Sequence, residues 1–481
     1  MGVLPTKLTI GAALLGGALS PALAQDGLDD FESLFDDLVP TEELEDGGSQ
    51  DDFLLDDLLG EIGADTSSEA PPPSGGLGAL RDWKGFVELR PRVYFDDRSG
   101  PRQDEQFLVE AELELDFRFE NQWSGYFRPR VFLDAFDGEL ERFEPYEAYA
   151  TWAGDDMDVR LGQFVENWGI VDTFNPIDVV NRRDLATDFL DPTRLGELGG
   201  RVRWFGEDSG ALLEPTWSLY VLPAWRETEF AVGEQRFSFG PAFDADAGFE
   251  PSGSERALYA LRYAAVLETG PVNADIQALV ARGPERQPSL ILQGSDLIPV
   301  YFGAATVGLG FRAVPNQDVA GQFLSTLTLK AEVVHKTPYA FDDSPIVDPD
   351  DYLAYVLGVD RQFFGLWSDQ DQLTMTVEYA GEDGANDINA TFRPFRNDLI
   401  LRGLYEPNDF ARTSLELRGI YDFDTDETLG EFIFERQLRS IDEDLKLSVQ
   451  FQWFDPPGTG ESLFDFFPNN TSLAVGLRWD L

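Results

Sequence analysis

The residues of this 481-residue chain best suited to chemistry are charged side chains that recur at every second position. Successive side chains of a strand point to opposite faces, so charges at this spacing would share one face. A face of this kind could line a water-filled space and bind ions or polar solutes. The arginines with this spacing are Arg90, Arg92, Arg128, Arg130, Arg201 and Arg203, and the acids are Glu110, Glu112, Glu114 and Asp116.

Composition excludes several other kinds of chemistry. The chain has no cysteine, which removes thiol catalysis, disulfides and cysteine-based metal sites. Its net charge of −53 opposes binding to nucleic acid. The single histidine, His335, shares its parity with the apolar residues Leu329 and Val333, so we expect it on an outer rim rather than at a catalytic centre. The sequence therefore predicts a protein that is not an enzyme and that has no metal site and no cofactor.

The first 24 residues have the three parts of a secretory signal. Lys7 supplies the positive charge, residues 10–19 form a short apolar stretch, and Ala22-Leu23-Ala24 is a cleavage site. Export is therefore expected. No apolar run is long enough for a membrane-spanning helix.

Residues 25–80 form an acidic segment followed by a Pro/Gly linker. Residues 26–69 contain 17 acids and no lysine or arginine. Such a segment can be a solvated tail. Its apolar residues have helical spacing, so it could instead fold onto a periplasmic partner. The candidate partner-binding residues are Phe31, Leu34, Phe35, Leu38, Phe53, Leu55 and Leu58.

Residues 81–481 alternate between apolar and polar with period two. One example is the stretch 109–120, in which Val, Ala, Leu and Phe alternate with Glu, Asp and Arg. The segments reach ten or more residues, as a tilted strand needs to cross a bilayer, and aromatic residues lie near their ends. We therefore predict an all-β, antiparallel, up-and-down transmembrane barrel in the bacterial outer membrane, with 18 strands favoured over 16 and with residues 25–80 as a periplasmic extension.

The eighteen predicted strands are separated by joints that alternate between short and long, as expected for periplasmic turns and outer loops. The last strand resembles the terminal strand that the barrel-assembly machinery binds, although Leu481 replaces the usual aromatic residue. The strands are predicted near 84–95, 106–119, 122–135, 145–153, 156–168, 197–206, 213–223, 255–268, 271–282, 299–313, 319–336, 350–363, 371–381, 396–405, 411–423, 428–438, 443–454 and 471–481. The segments 299–313 and 396–405 have the weakest alternation.

The third outer joint, residues 169–196, lacks alternation and is rich in Asp, Asn, Arg and Pro. A loop of this length with its own apolar residues is expected to pack. From Trp168 to Asp184 the chain reads WG-x-x-D-x-x-N-P-x-D-V-x-N-x-x-D. This run resembles a signature of porin-like proteobacterial outer-membrane barrels of poorly known function. The resemblance implies a porin-like barrel, and several members of that group accompany envelope lipid or solute transporters. Porin architecture further implies that this loop folds into the lumen as a constriction.

Two roles remain open for the lumen-facing charges: a selective path for solutes, or ion pairs that only keep the wall rigid and wet. The candidates not already named are Arg160 on a strand and Asp172, Asp178, Arg182, Arg183 and Asp184 in the loop. For these loop residues the alternative to a solute site is a plug held by ion pairs.

Two functions follow. The first is a porin-like channel for small solutes. The alternative is a non-enzymatic accessory barrel of an envelope lipid-export or assembly system, which docks a periplasmic partner through residues 25–69. In either case the barrel is surrounded by outer-membrane lipid, and assembly into a homo-oligomer is left open.

Overall fold

The computed structural model describes residues 79–95, 104–119, 121–136, 141–188, 190–232, 235–239, 243–244, 248–293, 296–316, 326–342, 344–345, 350–384, 395–456, 464, 467 and 470–481. The signal, the acidic segment and its seven candidate partner-binding residues lie outside these ranges. No helix among the described residues is long and apolar enough to cross a membrane.

Eighteen long strands form the wall. Between them, two short hairpins lie in the loops: β6 (Arg182–Asp184) with β7 (Thr193–Leu195), and β12 (Ser289–Gln293) with β13 (Asp296–Val300). The wall strands are β1 (Ala79–Tyr94), β2 (Glu105–Arg118), β3 (Trp123–Asp134), β4 (Arg142–Ala153), β5 (Met157–Phe164), β8 (Glu197–Phe205), β9 (Leu212–Leu222), β10 (Leu258–Thr269), β11 (Val272–Pro284), β14 (Gly303–Pro315), β15 (Leu327–Tyr339), β16 (Tyr352–Phe364), β17 (Gln372–Asp383), β18 (Asn397–Glu406), β19 (Ser414–Asp422), β20 (Thr428–Gln437), β21 (Leu445–Asp455) and β22 (Ser472–Asp480).

The wall is a closed antiparallel barrel. Each wall strand pairs with the preceding and the following one, and β1 pairs with both β2 and β22. In the closing pair, Val87 faces Trp479 and Val93 faces Leu473. Closure leaves no free sheet edge, which is the condition for a sheet to survive in lipid. The predicted fold and strand number are confirmed.

All eighteen predicted segments coincide with wall strands, and the errors are at their ends. The fifth predicted segment runs to residue 168, whereas β5 ends at Phe164. The tenth predicted segment begins at residue 299, but residues 296–300 form the second strand of a loop hairpin and the wall strand begins at Gly303. In both places the predicted bound is wrong because apolar residues of the adjoining loop continue the alternation of the wall strand.

The exterior of the barrel is apolar and is edged by aromatic residues. Leucine and valine side chains such as Leu309, Leu401 and Val307 are exposed at outward positions. Trp83, Trp123, Trp204 and Trp479 are exposed at the end with short turns, and Phe95, Phe136, Phe143 and Tyr259 at the end with long loops. An apolar band between two aromatic girdles fits a wall surrounded by lipid. His335 is exposed on the same outer face, opposite Val307 and Leu353.

Leu309 lies in the middle of β14 and points outward, with 46% of its surface exposed. We expect Leu309→Arg to reduce the free energy of unfolding in phospholipid vesicles by about 2–4 kcal/mol, because a charge near the bilayer midplane loses its hydration. Urea titration of the folded barrel measures this change. Leu366→Arg, in the turn after β16, should cost less than about 1 kcal/mol, and equal losses in both variants would contradict the lipid-facing assignment.

The lumen differs from the expected water-filled space at the end with long loops. Inward residues of six adjacent strands are apolar there, and side chains from the loops pack on them to form one buried cluster. This wall therefore encloses an apolar core rather than water along part of its length. The inward residues are Val356, Ala380, Ile400, Ile420, Leu429 and Phe454, and the loop residues packed on them include Val171, Leu185, Leu190, Phe237, Phe239 and Phe467.

Candidate constriction loop and lumen charges

The loop 165–196 leaves the wall because β5 is short. β4 begins pairing with β5 only at Ala148, so residues 142–147 of β4 extend beyond the end of β5 without a strand partner on that side. The Gln163 side chain donates to the free carbonyl of Pro145, and the Glu147 carboxylate accepts the backbone N–H of Val165. The chain then turns into the lumen, where Trp168 is completely buried.

Two carboxylates on the opposite wall hold the loop by its backbone. Glu332 of β15 accepts the N–H groups of Ile170 (2.5 Å), Val171 (3.3 Å) and Ile177 (3.3 Å). Glu378 of β17 accepts those of Asp172 (2.8 Å) and Thr173 (3.1 Å). Each buried backbone donor needs an acceptor, and these two carboxyl groups supply acceptors for five of them, so the five bonds form the principal anchor of the loop.

Lysine and glutamine side chains of the wall complete this anchor. Lys330 lies 2.6 Å from a carboxylate oxygen of Asp172 in the loop and 2.7 Å from Asp360 of β16. On the neighbouring side, Gln277 of β11 donates to the carbonyl of Trp168 at 2.9 Å. A side chain at Gly310 would collide with Ile170, so the loop and the wall are in direct contact there.

The second half of the loop is held by strands on the remaining side of the lumen. Gln450 and Gln452 of β21 donate to the Asp188 carboxylate at 3.3–3.4 Å, and Arg92 of β1 lies 3.8 Å from it. Arg418 of β19 lies 3.7 Å from Asp191. The loop thus contacts the wall on several sides and crosses the lumen.

Within the loop, Asp178 holds two arginines. Its Oδ2 lies 2.8 Å from Arg183 and 2.7 Å from Arg194, and its Oδ1 accepts a bond from Asn181. Burial disfavours ionisation of Asp178, but the two guanidiniums and the Asn181 bond outweigh it and lower the pKa of this carboxyl. Burial and the charge of Arg194 lower the pKa of Arg183 to about 10. We name Asp178, Arg183 and Arg194 the loop clamp.

The predicted strand charges form a ladder along β1, β2 and β3. Glu110 lies 2.9 Å from Arg90 and 3.0 Å from Arg130, and Glu112 lies 2.8 Å from both Arg130 and Arg128. These groups are largely buried, so they already satisfy one another. The geometry favours the wall-bracing role that the sequence left open.

A second ladder joins β5 and β8 to the start of the loop. Arg201 lies 2.7 Å from Glu166 in the loop and 3.2 Å from Asp158, which also pairs with Arg203 at 2.7 Å. Arg160 stacks on the Tyr149 ring at 4.2 Å from its centroid. All three predicted arginines of this region therefore face the lumen and are engaged by wall or loop residues.

The remaining predicted residues also lie inside the barrel. Glu114 accepts a bond from Tyr126 at 2.6 Å, Arg182 lies 2.5 Å from Glu229, and Asp184 pairs with Arg142. Thus every strand and loop residue proposed to line the pore lies on the lumen side, and whether a solute passes these residues stays a prediction.

The loop 223–257 also folds inward. Phe237 and Phe239 pack on Phe467, with ring centroids 5.7 Å and 5.0 Å apart. The carbonyl of Arg236 accepts a bond from Asn470, and its guanidinium lies over the Tyr94 ring. Among the described residues, loops other than 165–196 therefore also help to fill the lumen near its outer end, whereas the sequence indicated only that loop.

Sequence reasoning missed the anchoring residues of the opposite wall, namely Lys330, Glu332 and Glu378. All three have inward parity, so the same alternation that selected Glu110 could have selected them. Nothing in the sequence connects them to the loop, because their partners there include backbone N–H groups. Within the described part of the chain, no group of three or more potential metal ligands is present.

The closed, apolar-coated wall has the architecture of a porin-like outer-membrane barrel. No protein-family model matches the chain, and no curated protein matches it. Among solved structures, it is similar to Acinetobacter baumannii OccAB4, with 9% identity over 83% of this chain and 97% of that one and a TM-score of 0.47. It is also similar to a BenF-like porin of Pseudomonas fluorescens, with 10% identity over 84% and 99% and a TM-score of 0.46.

A further similar structure is Wzi of Escherichia coli, an outer-membrane protein involved in capsule assembly and described as a carbohydrate-binding β-barrel. The identity is 10% over 82% of this chain and 83% of that one, with a TM-score of 0.45. At such identities a likeness extends to the fold alone, so the function is argued below from the residues of this chain.

Proposed function

We propose that the protein is an outer-membrane channel for small hydrophilic solutes, in which the loop 165–196 is the constriction. The observation that supports this most directly is the anchoring of five loop N–H groups by Glu332 and Glu378 on the opposite wall. A loop fixed at this position narrows the lumen permanently, as a selectivity element must.

The polar lining on the short-turn side of the loop supports passage of hydrophilic rather than apolar solutes. Inward residues there include Glu88, Asp275, Arg312 and Thr376. On the other side of the loop, the apolar cluster narrows the path further. The proposed resting state is therefore a small pore with low conductance.

Planar-bilayer recording of the full-length protein tests this proposal. We expect small, steady current steps, because ions must pass between the loop and the wall. A variant that lacks residues 170–190 should give steps about threefold larger or more, because the cross-section of the lumen increases. Absence of current from both proteins, with folding verified by gel mobility before and after heating, would contradict a channel.

The accessory-barrel alternative depends on residues 25–69, which lie outside the described residues. It stays a prediction.

A further inference from the structure

A partly enclosed cavity of about 150 Å³ lies between the loop 165–196 and the long-loop ends of β15 and β16. This space is sufficient for roughly ten water molecules or one small organic molecule. Loop clamp residues form one side, and Arg286, Lys336 and Tyr352 form another.

The cavity presents a buried guanidinium that is only partly satisfied. The side chain of Arg286 is 5% exposed, and its Nε donates to the carbonyl of Val180. Within the described part of the chain, its Nη1 and Nη2 donate no hydrogen bond. Its counter-ion, Glu197, is 3.5 Å away and is shared with Arg182 at 3.7 Å. Buried donors of this kind are normally paired, so a ligand that accepts bonds from them would be favoured.

Guanidinium groups beside this site are crowded together. In the loop clamp, two guanidiniums share the single carboxylate of Asp178. Burial lowers the pKa of Arg286. The negative charge of Glu197 offsets this only in part, and the positive charge of Arg182 lowers the pKa further. An added negative charge would relieve both crowded groups.

The other acids that line the cavity already have cation partners. Glu285 is paired with Lys336 at 2.7 Å, and Asp172 with Lys330 at 2.6 Å. Asp191 is mostly exposed and lies 3.7 Å from Arg418. Each of these carboxylates therefore already lies beside a cation, although Lys330 and Arg418 also pair with acids of the wall.

The rest of the lining is apolar. Phe174 and Phe395 meet edge to face with ring centroids 5.7 Å apart, and Leu185 and Leu190 lie beside them. A ligand that fits both parts of the cavity has one anionic group and a short apolar body. A planar carboxylate matches the fork of a guanidinium, whereas inorganic phosphate would leave the apolar part empty.

We propose that this cavity binds a small carboxylate with an aliphatic or aromatic body, with Arg286 as its principal charged contact. Binding at this site does not require the proposed channel function. Only the interpretation of the bound anion as a transported solute rests on that function.

Calorimetric titration of the full-length protein in detergent micelles tests the site with hexanoate, its neutral counterpart hexanamide, and inorganic phosphate. We expect hexanoate to bind at least about tenfold more tightly than either of the other two. Arg286→Gln should weaken hexanoate binding at least about tenfold, because a charged hydrogen-bond partner is lost. Arg282→Gln, on the outer face of β11, is the matched control and should not change it.

Equal binding of hexanamide would overturn the role of charge, and equal binding of phosphate would overturn the role of the apolar lining. Unchanged hexanoate binding in a folded Arg286→Gln variant would overturn the site. Because the titration involves no membrane current, a protein that binds hexanoate but conducts no ions would contradict the channel and leave this site standing.

Discussion

Replacing Glu332 and Glu378 together by glutamine should open the barrel without unfolding it. Glutamine keeps the size of the side chain but replaces one of the two acceptor oxygens of each carboxyl group, and these oxygens receive five backbone N–H bonds from the loop. It also brings its own N–H₂ group among those donors. Each buried donor left unsatisfied costs about 1–3 kcal/mol.

Every 1.4 kcal/mol lost from the anchored state raises the population of the released state about tenfold. Single-channel recordings of the double variant should therefore show large openings at least about ten times more often than the parent protein. Glu435→Gln is the matched control, because Glu435 pairs with Lys446 near the short-turn ends of β20 and β21. Currents identical to the parent in a folded double variant would show that these carboxylates do not hold the constriction.

Substituting Asp178 by asparagine should release the loop clamp. The Asp178 side chain is fully buried between Arg183 and Arg194, so the variant leaves two guanidiniums without their carboxylate. Removing one partner of a buried ion pair costs about 3–5 kcal/mol, which corresponds to more than a hundredfold in population. Trypsin cleaves after arginine, so cleavage between residues 182 and 195 should become at least about a hundredfold faster at neutral pH.

The same carboxyl sets the pH range over which the clamp holds. The pKa of Asp178 is lower in the folded protein than its ordinary value of about 3.9. Its contribution to stability is therefore complete above about pH 4 and is lost as the pH falls through the lowered folded value. An acid-stable protease should cut the parent loop slowly at pH 4.5 and faster only below about pH 3.5. The asparagine variant should be cut rapidly at both pH values, and a parent loop that is released near pH 6 would exclude Asp178 as the controlling group.

The wall could be predicted from the sequence because lipid and lumen impose opposite demands on alternate residues. The last paired segments, in which Leu447, Val449 and Phe451 alternate with polar residues, show this pattern clearly. It is weak at Leu399-Ile400-Leu401, because Ile400 faces inward but packs into the apolar cluster. The weak alternation at this point therefore reflected the filled lumen, although from the sequence alone it indicated only a poorly defined strand.

The packing inside the lumen could not be predicted. In β4, Tyr146 and Glu147 are adjacent yet both buried, because the strand is irregular there and its phase shifts by one residue. The length of the loop and its apolar residues predicted a packed segment, but the hairpin of β6 and β7 has only three residues in each strand, too few for a visible period. The opposite-wall anchors depend on contacts between residues far apart in the chain.

These separations also bear on the order in which the molecule can assemble. Ile177 and Glu332 are 155 positions apart, and Asp188 and Gln452 are 264 apart. The loop is synthesised after five wall strands, but its partners are complete only when β21 has been added. It must therefore be retained inside an incomplete sheet while the last strands join, or enter from the open end after β22 has met β1. Because such distant contacts form slowly, docking of the loop should be a late, slow phase that follows barrel closure.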